Sequence, residues 1–141
     1  MEILVFAARG VPEVRATAFR RLFFACGGGG IPVVEHEGHR VVGSEAVIDK
    51  DRASVLLATE LGVDLFAIST DARQVYVDFK KPTQRGIDSI TVDELQKHVD
   101  DGQFPPGSMG PKVESAMRYL RNGGTEVIIT SFEYLTAAID G

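Results

Sequence analysis

The chain has 141 residues, and at about 150 residues per domain it has room for one domain and excludes a second complete one. Hydrophobic residues make up 44% and charged residues 25%, an ordinary globular balance, whereas glycine is high at 15 residues and clustered, as in loops that let something approach the backbone. Lys and Arg number 15 against 20 Asp and Glu, a net charge of −5, which argues against a general nucleic-acid or anionic-membrane binder but leaves room for a local cationic site.

Residues 2–8 read as a buried strand. Pro12 then suits a first helical turn, and Val14, Ala18 and Leu22 recur at helical spacing. The pattern runs straight into Phe23-Phe24-Ala25-Cys26 and four glycines, a cramped junction with almost no turn between helix and strand. Residues 31–34 and 40–42 flank the polar Glu35-His36-Glu37-Gly38-His39 and read as a hairpin. Residues 49–61 form a helix with acidic residues at its start and Gly62 just past its end. Strands follow at 65–69 and 75–77, separated by a polar turn. The stretch 80–90, with Pro82 and Gly86, reads as a surface loop. Thr91-Val92-Asp93-Glu94 has the spacing of a capping box and opens a helix to about Asp100. A loop at 103–111 leads to a helix started by Pro111 and closed by Asn122-Gly123-Gly124. Residues 126–130 form a strand, and Thr130 to Glu133 again has capping-box spacing before a last helix. Strands alternating with helices predict an α/β fold with a largely parallel sheet and crossover helices on its faces.

Cys26 is the single cysteine and cannot make an internal disulfide. The chain opens without a secretory pattern and contains no apolar run near the ~18 residues of a membrane span. These features predict a cytoplasmic protein without a membrane partner. The His36 and His39 tip is expected to be solvated, because no further His or Cys stands at ligand spacing; no metal site is predicted in the protein. Cys26 has no positive neighbour in sequence to lower its pKa and reads as a small core residue.

Three segments combine glycine or acidic loops with a helix start, where free N–H groups and the helix dipole favour anions. The first is Cys26-Gly27-Gly28-Gly29-Gly30-Ile31-Pro32, whose alternative is a tight bend into the hairpin. It is no dinucleotide fingerprint, since Pro32 replaces the last required glycine and a hairpin follows. The second is Val47-Ile48-Asp49-Lys50-Asp51. A lysine in a first helical turn is unfavourable unless an anion reverses the penalty, and Asp51 can hold the ammonium; the alternative is a solvated Asp cap beside an exposed lysine. The third, Pro106-Gly107-Ser108-Met109-Gly110-Pro111-Lys112-Val113, places Lys112 in another first turn. Ligands collect outside the carboxyl ends of parallel strands, so Lys50 and Lys112 can converge on one phosphate chain. Asp71, after a strand, and Tyr76 are candidates to meet a ribose or base; the alternative is a simple strand-ending turn.

These segments, in this order, resemble the carboxyl-terminal, nucleotide-binding half of carbamate kinases in the amino-acid kinase superfamily. The resemblance rests on Ala25 to Val33, Ala46-Val47-Ile48-Asp49-Lys50-Asp51, Thr70-Asp71 with Val75-Tyr76, and Pro106 to Glu114. It covers residues 25–141 of one nucleotide-binding domain, 1–141, with 1–24 as an atypical start. It implies the C-terminal lobe of a three-layer sandwich and reversible phosphoryl transfer between ATP and carbamate, giving ADP and carbamoyl phosphate, with Mg2+ on the nucleotide. It further implies that Lys112 contacts the transferring phosphate, Lys50 stabilises the same charge and Asp51 orients both ammonium groups. Asp71, Tyr76, Gly107, Ser108, Met109, Gly110 and Lys112 would bind the nucleotide. Gly27, Gly28, Gly29 and Gly30 would lie by the acceptor, and the protein would be a homodimer. The family is about twice as long, and its amino-terminal half, which holds carbamate, has no counterpart here. The alternatives are a non-catalytic nucleotide-binding fragment and a superfamily member acting on another acid or on a nucleotide monophosphate.

Overall fold

The computed structural model describes residues 4–8, 22–26, 32–38 and 40–141. Strands β1 (Leu4–Ala8), β2 (Leu22–Cys26), β5 (Leu65–Thr70) and β8 (Glu126–Ser131) form a four-stranded sheet in the order β2-β1-β5-β8. β5 and β8 are parallel, while β1 runs antiparallel to both β2 and β5. The expected α/β class therefore stands, with its described parallel pairing at β5–β8. Leu22, counted above as a helical position, is the first residue of β2; a short apolar run fits either element by periodicity. The expected helix before it and the cramped junction lie outside the described residues.

Two small antiparallel ribbons complete the strands among the described residues: β3 (Val33–His36) with β4 (Arg40–Gly43), the expected hairpin, and β6 (Val75–Val77) with β7 (Arg85–Ile87). β7 corrects the expectation of a plain loop over 80–90. Gly86 stands opposite Tyr76, and the Gln74 side chain fills the place where a Cβ at Gly86 would project. Glycine here is thus a strand residue under a covering side chain, although by composition it reads as a breaker.

Helix α1 (Lys50–Leu61) is capped by Asp49, whose carboxylate accepts from the Arg52 N–H at 2.9 Å. It closes on left-handed Gly62, with the Gly62 and Val63 N–H groups returning to the Thr59 and Ala58 carbonyls. Helix α2 (Val92–Asp100) has the complete capping box of Thr91 and Glu94. Helix α3 (Met109–Arg121) starts two residues before Pro111. Proline is tolerated there because first-turn N–H groups lack an intrahelical partner. Helix α4 (Phe132–Asp140) takes Ser131 as its cap residue without a side-chain bond. The expected Thr130 capping box is absent because the helix takes Ser131, one residue further on, as its cap; the Thr130 hydroxyl donates to the Arg73 carbonyl at 2.7 Å.

The core has two parts, and α3 serves both. On one side Val55 and Ala58 of α1, Phe66 and Ile68 of β5, and Val63 pack with Tyr119, whose ring lies 5.4 Å from that of Phe66. On the other, Val113 and Met117 pack with Val75 and Leu95. Phe66, Ala67, Ile68 and Ser69 are all buried, the run expected of a strand covered on both faces. Packing of α1 against α3 fixes the two helix starts relative to one another.

Candidate functional site

The starts of α1 and α3 open on one cleft of about 780 Å³. Asp49, Lys50 and Asp51 come from α1 and its cap, and Gly107, Ser108, Met109, Pro111 and Lys112 from the approach to α3. Thr70, Asp71, Ala72 and Arg73 follow β5, and Tyr76 lies on β6. Two segments 61 residues apart in sequence are thereby joined by an ion pair: Lys112 Nζ donates to Asp51 Oδ2 at 3.3 Å. Both side chains are buried, at 7% and 6% exposure. Asp51 Oδ1 is buried without a hydrogen-bond partner among the described residues.

Burying two charges costs several kcal/mol per ion, and replacing such a pair by apolar residues is often neutral or stabilising. A lysine and an aspartate at the bottom of a cleft are therefore weak evidence for stability and stronger evidence for use. The helix ends agree. α2 satisfies its own start, with Asp93 and Glu94 in its first turn. α3 carries no acidic residue in its first turn, and its cap residue Ser108 makes no side-chain bond. Its positive end thus faces the cleft unopposed, beside the Lys112 ammonium, and favours an anion.

Of the residues expected at the site, Lys50, Asp51, Asp71, Tyr76, Gly107, Ser108, Met109 and Lys112 all line this cleft. Gly110 stands behind it: a Cβ there would meet the Pro105 carbonyl oxygen at 2.9 Å, and its N–H donates to that oxygen at 3.1 Å. Its part is to let the loop pack onto the helix start. Residues 27–30 lie outside the described residues. The ion pair found for Asp51 is with Lys112; Lys50 lines the same wall.

Sequence reasoning missed a second wall, made by Phe79, Gln84, Gln103 and Phe104. Tyr76 and Phe79 bring their ring centroids within 6.1 Å. The loop holding Phe79 passes through left-handed conformations at Asp78 and Lys80 and is tied by side chains. Gln103 Oε1 accepts from the Asp78 N–H at 2.8 Å, Gln84 Oε1 from the Lys80 N–H at 2.7 Å, and Asp78 from Thr83 and Lys81. The hydrogen bonds from Lys81 and Thr83 hold the Asp78 carboxyl below the ordinary carboxylate range. Neither glutamine had a local signal, because each satisfies backbone groups distant from its own segment or inside an irregular loop.

The profile of the amino acid kinase family matches residues 5–131, and the chain belongs to that family. Among its relatives, the carbamate kinase of Thermoplasma volcanium is 50% identical over 117 residues, covering 83% of this chain and 38% of that protein. Carbamate kinase 3 of Staphylococcus aureus is 49% identical over 121 residues, 85% of this chain and 39% of the relative. The structure of carbamate kinase from Giardia lamblia bound to AMP-PNP superposes with a TM-score of 0.75 at 40% identity, over 80% of this chain and 39% of that one. The chain thus spans about two-fifths of the length of the relatives it matches.

Proposed function

We propose that this chain is the C-terminal, nucleotide-binding part of a carbamate kinase, acting on carbamoyl phosphate and ADP to give carbamate and ATP, reversibly. The observation that carries the reading is the buried Lys112–Asp51 pair at the meeting of two helix starts. It is supported by the relatives' names and by a relative's structure with a nucleotide analogue. In this direction a phosphate oxygen of ADP attacks phosphorus, the bond from phosphorus to the carbamate oxygen breaks, and carbamate leaves with that electron pair. Phosphoryl transfer needs positioning and charge stabilisation above all. Lys112 and Lys50 would supply positive charge to the transferring group, and Asp51 would hold the Lys112 ammonium on target. Asp71 and Tyr76 would lie along the nucleoside, and Gly107, Ser108 and Met109 along its phosphates. Residues 27–30 would border the acceptor.

Mg2+ fits this cleft as an ion carried on the nucleotide. Asp49, Asp51 and Asp71 line it, yet no group of three His, Cys, Asp or Glu among the described residues can cage a metal alone. Mg2+ commonly takes one or two carboxylates, with phosphates and water completing its shell. When bound it would neutralise charge on the phosphate oxygens.

The test is ATP formation from ADP, Mg2+ and carbamoyl phosphate by the purified chain, with Lys112→Ala alongside. Activity that Lys112→Ala abolishes supports the reading; activity that survives in the variant removes Lys112 from the chemistry. The two-fifths coverage favours one second reading, a nucleotide-binding part that does not turn over alone. It predicts ADP binding that weakens in Lys112→Ala without ATP formation. In either case we place the protein in the cytoplasm. No described helix is long and apolar enough to cross a membrane.

A further inference from the structure

We propose that Thr130 is a positioning residue of the nucleotide cleft, acting through the main chain of the turn that carries Asp71. The inference rests on the nucleotide reading above. Thr70, Asp71, Ala72 and Arg73 form one wall of the cleft, in the irregular stretch between β5 and β6. Thr130 is buried near the end of β8, beside Ser69 in the parallel register. Its hydroxyl donates to the Arg73 carbonyl at 2.7 Å. The Arg73 guanidinium carbon lies 4.5 Å from the centroid of the Tyr134 ring on α4. The corner between β8 and α4 therefore grips the turn twice, once by main chain and once by side chain.

At the far end of the same turn the Gln74 Nε2 donates to Asp88 Oδ1 at 2.9 Å, so the Thr130 and Tyr134 contacts are the ones nearest Asp71. A second cavity, of about 670 Å³, is lined by Arg73, Gln74, Thr130 and Tyr134 among others. Arg73 borders both cavities, so its place depends on these specific contacts more than on close packing. The β-branched Thr130 side chain is stiff at χ1 and sits on a strand paired to β5, so it presents its donor from a rigid base. The same hydroxyl had the spacing to cap α4 and does not, since Ser131 is the cap residue.

Without the hydroxyl, the Arg73 carbonyl loses its donor and the Asp71 wall is released, while Lys50, Asp51 and Lys112 are untouched. The experiment is calorimetric titration of ADP into the whole chain. Thr130→Val keeps the shape and removes the donor; ADP binding is expected to weaken about five- to tenfold, the scale of one net hydrogen bond. Thr130→Ser restores the donor and is expected to bind within about twofold of the parent, since its hydroxyl can make the same bond. Tyr119→Phe serves as the stability control. It removes the buried phenol's bond to the Val63 carbonyl in the other half of the core, so its melting midpoint falls while ADP affinity stays put. Should Thr130→Val fail to fold, Tyr134→Leu, at a residue 40% exposed, loosens the same grip and is expected to weaken ADP about threefold. Parental ADP affinity in Thr130→Val, or in Tyr134→Leu where that variant stands in, overturns the inference and leaves the nucleotide reading intact. A parent chain that binds no ADP overturns both.

Discussion

At the scale of single residues, the buried Lys112–Asp51 pair sets stability against function. Removing one partner leaves an uncompensated buried charge, which typically costs about 3–5 kcal/mol, whereas replacing both by apolar groups is often neutral or stabilising. Asp51→Ala is therefore expected to unfold at markedly lower urea than the parent. The double variant Asp51→Ala with Lys112→Met should recover most of that loss yet fail to bind ADP. Chemical denaturation of the three proteins, followed by an ADP titration of the double variant, checks both halves. A double variant no more stable than Asp51→Ala would mean that the pair contributes to the fold in its own right. Lys112 stood out in the sequence because a lysine in a first helical turn is a local anomaly, visible without knowing what lies opposite, and Asp51 stood out as the neighbour able to hold the Lys50 ammonium. Their pairing across 61 positions has no local signal and was implied only by the family resemblance, since it depends on α1 packing against α3.

Among the elements, those with a local chemical signature match their sequence reading closely. The Asp49 cap, the Gly62 stop and the Thr91–Glu94 box fix three helix ends from side chains within a few residues. The Thr91 hydroxyl and N–H both donate to Glu94 Oε2, at 2.7 and 3.1 Å. The Thr91 side chain first, and its backbone N–H second, hold the Glu94 carboxyl below its ordinary 4.5. A carboxyl lowered in the fold stabilises above its unfolded value, and that contribution is lost as pH falls through the folded value. Thr91→Ala should therefore lower the melting midpoint by roughly 2–4 °C near neutral pH. The gap to the parent should narrow on acidification below 4.5, because the parent then loses the same bonds; thermal melts from pH 7 to pH 3 measure it. A gap that stays constant with pH would assign the loss to the cap hydroxyl alone, without Glu94. Elements set by distant contacts were harder to read. β7 exists because β6 pairs with it under the Gln74 side chain, and the Thr130 hydroxyl serves a turn 57 positions away. In both cases tertiary structure overrode a correct local pattern.

On the scale of the whole molecule, the ribbon β3–β4 stands apart from the two cores. All eight of its strand residues are exposed, including Val33, Val34, Val41 and Val42. A lone two-stranded ribbon is marginal in water, and valines exposed on both of its faces favour a covered state. That cover is expected to come from another molecule. Homodimerisation, implied by the family resemblance, would supply it. Val34 and Val42 are directly opposite one another, so Val34→Lys with Val42→Lys places two like charges on one face and opposes association there. Sedimentation of the parent chain is expected to show concentration-dependent association that this double variant loses. ADP affinity should be unchanged, because no ribbon residue lines the cleft. Equal association of the two proteins would move the contact to another surface, of which the outer edge of β8 is the next to test.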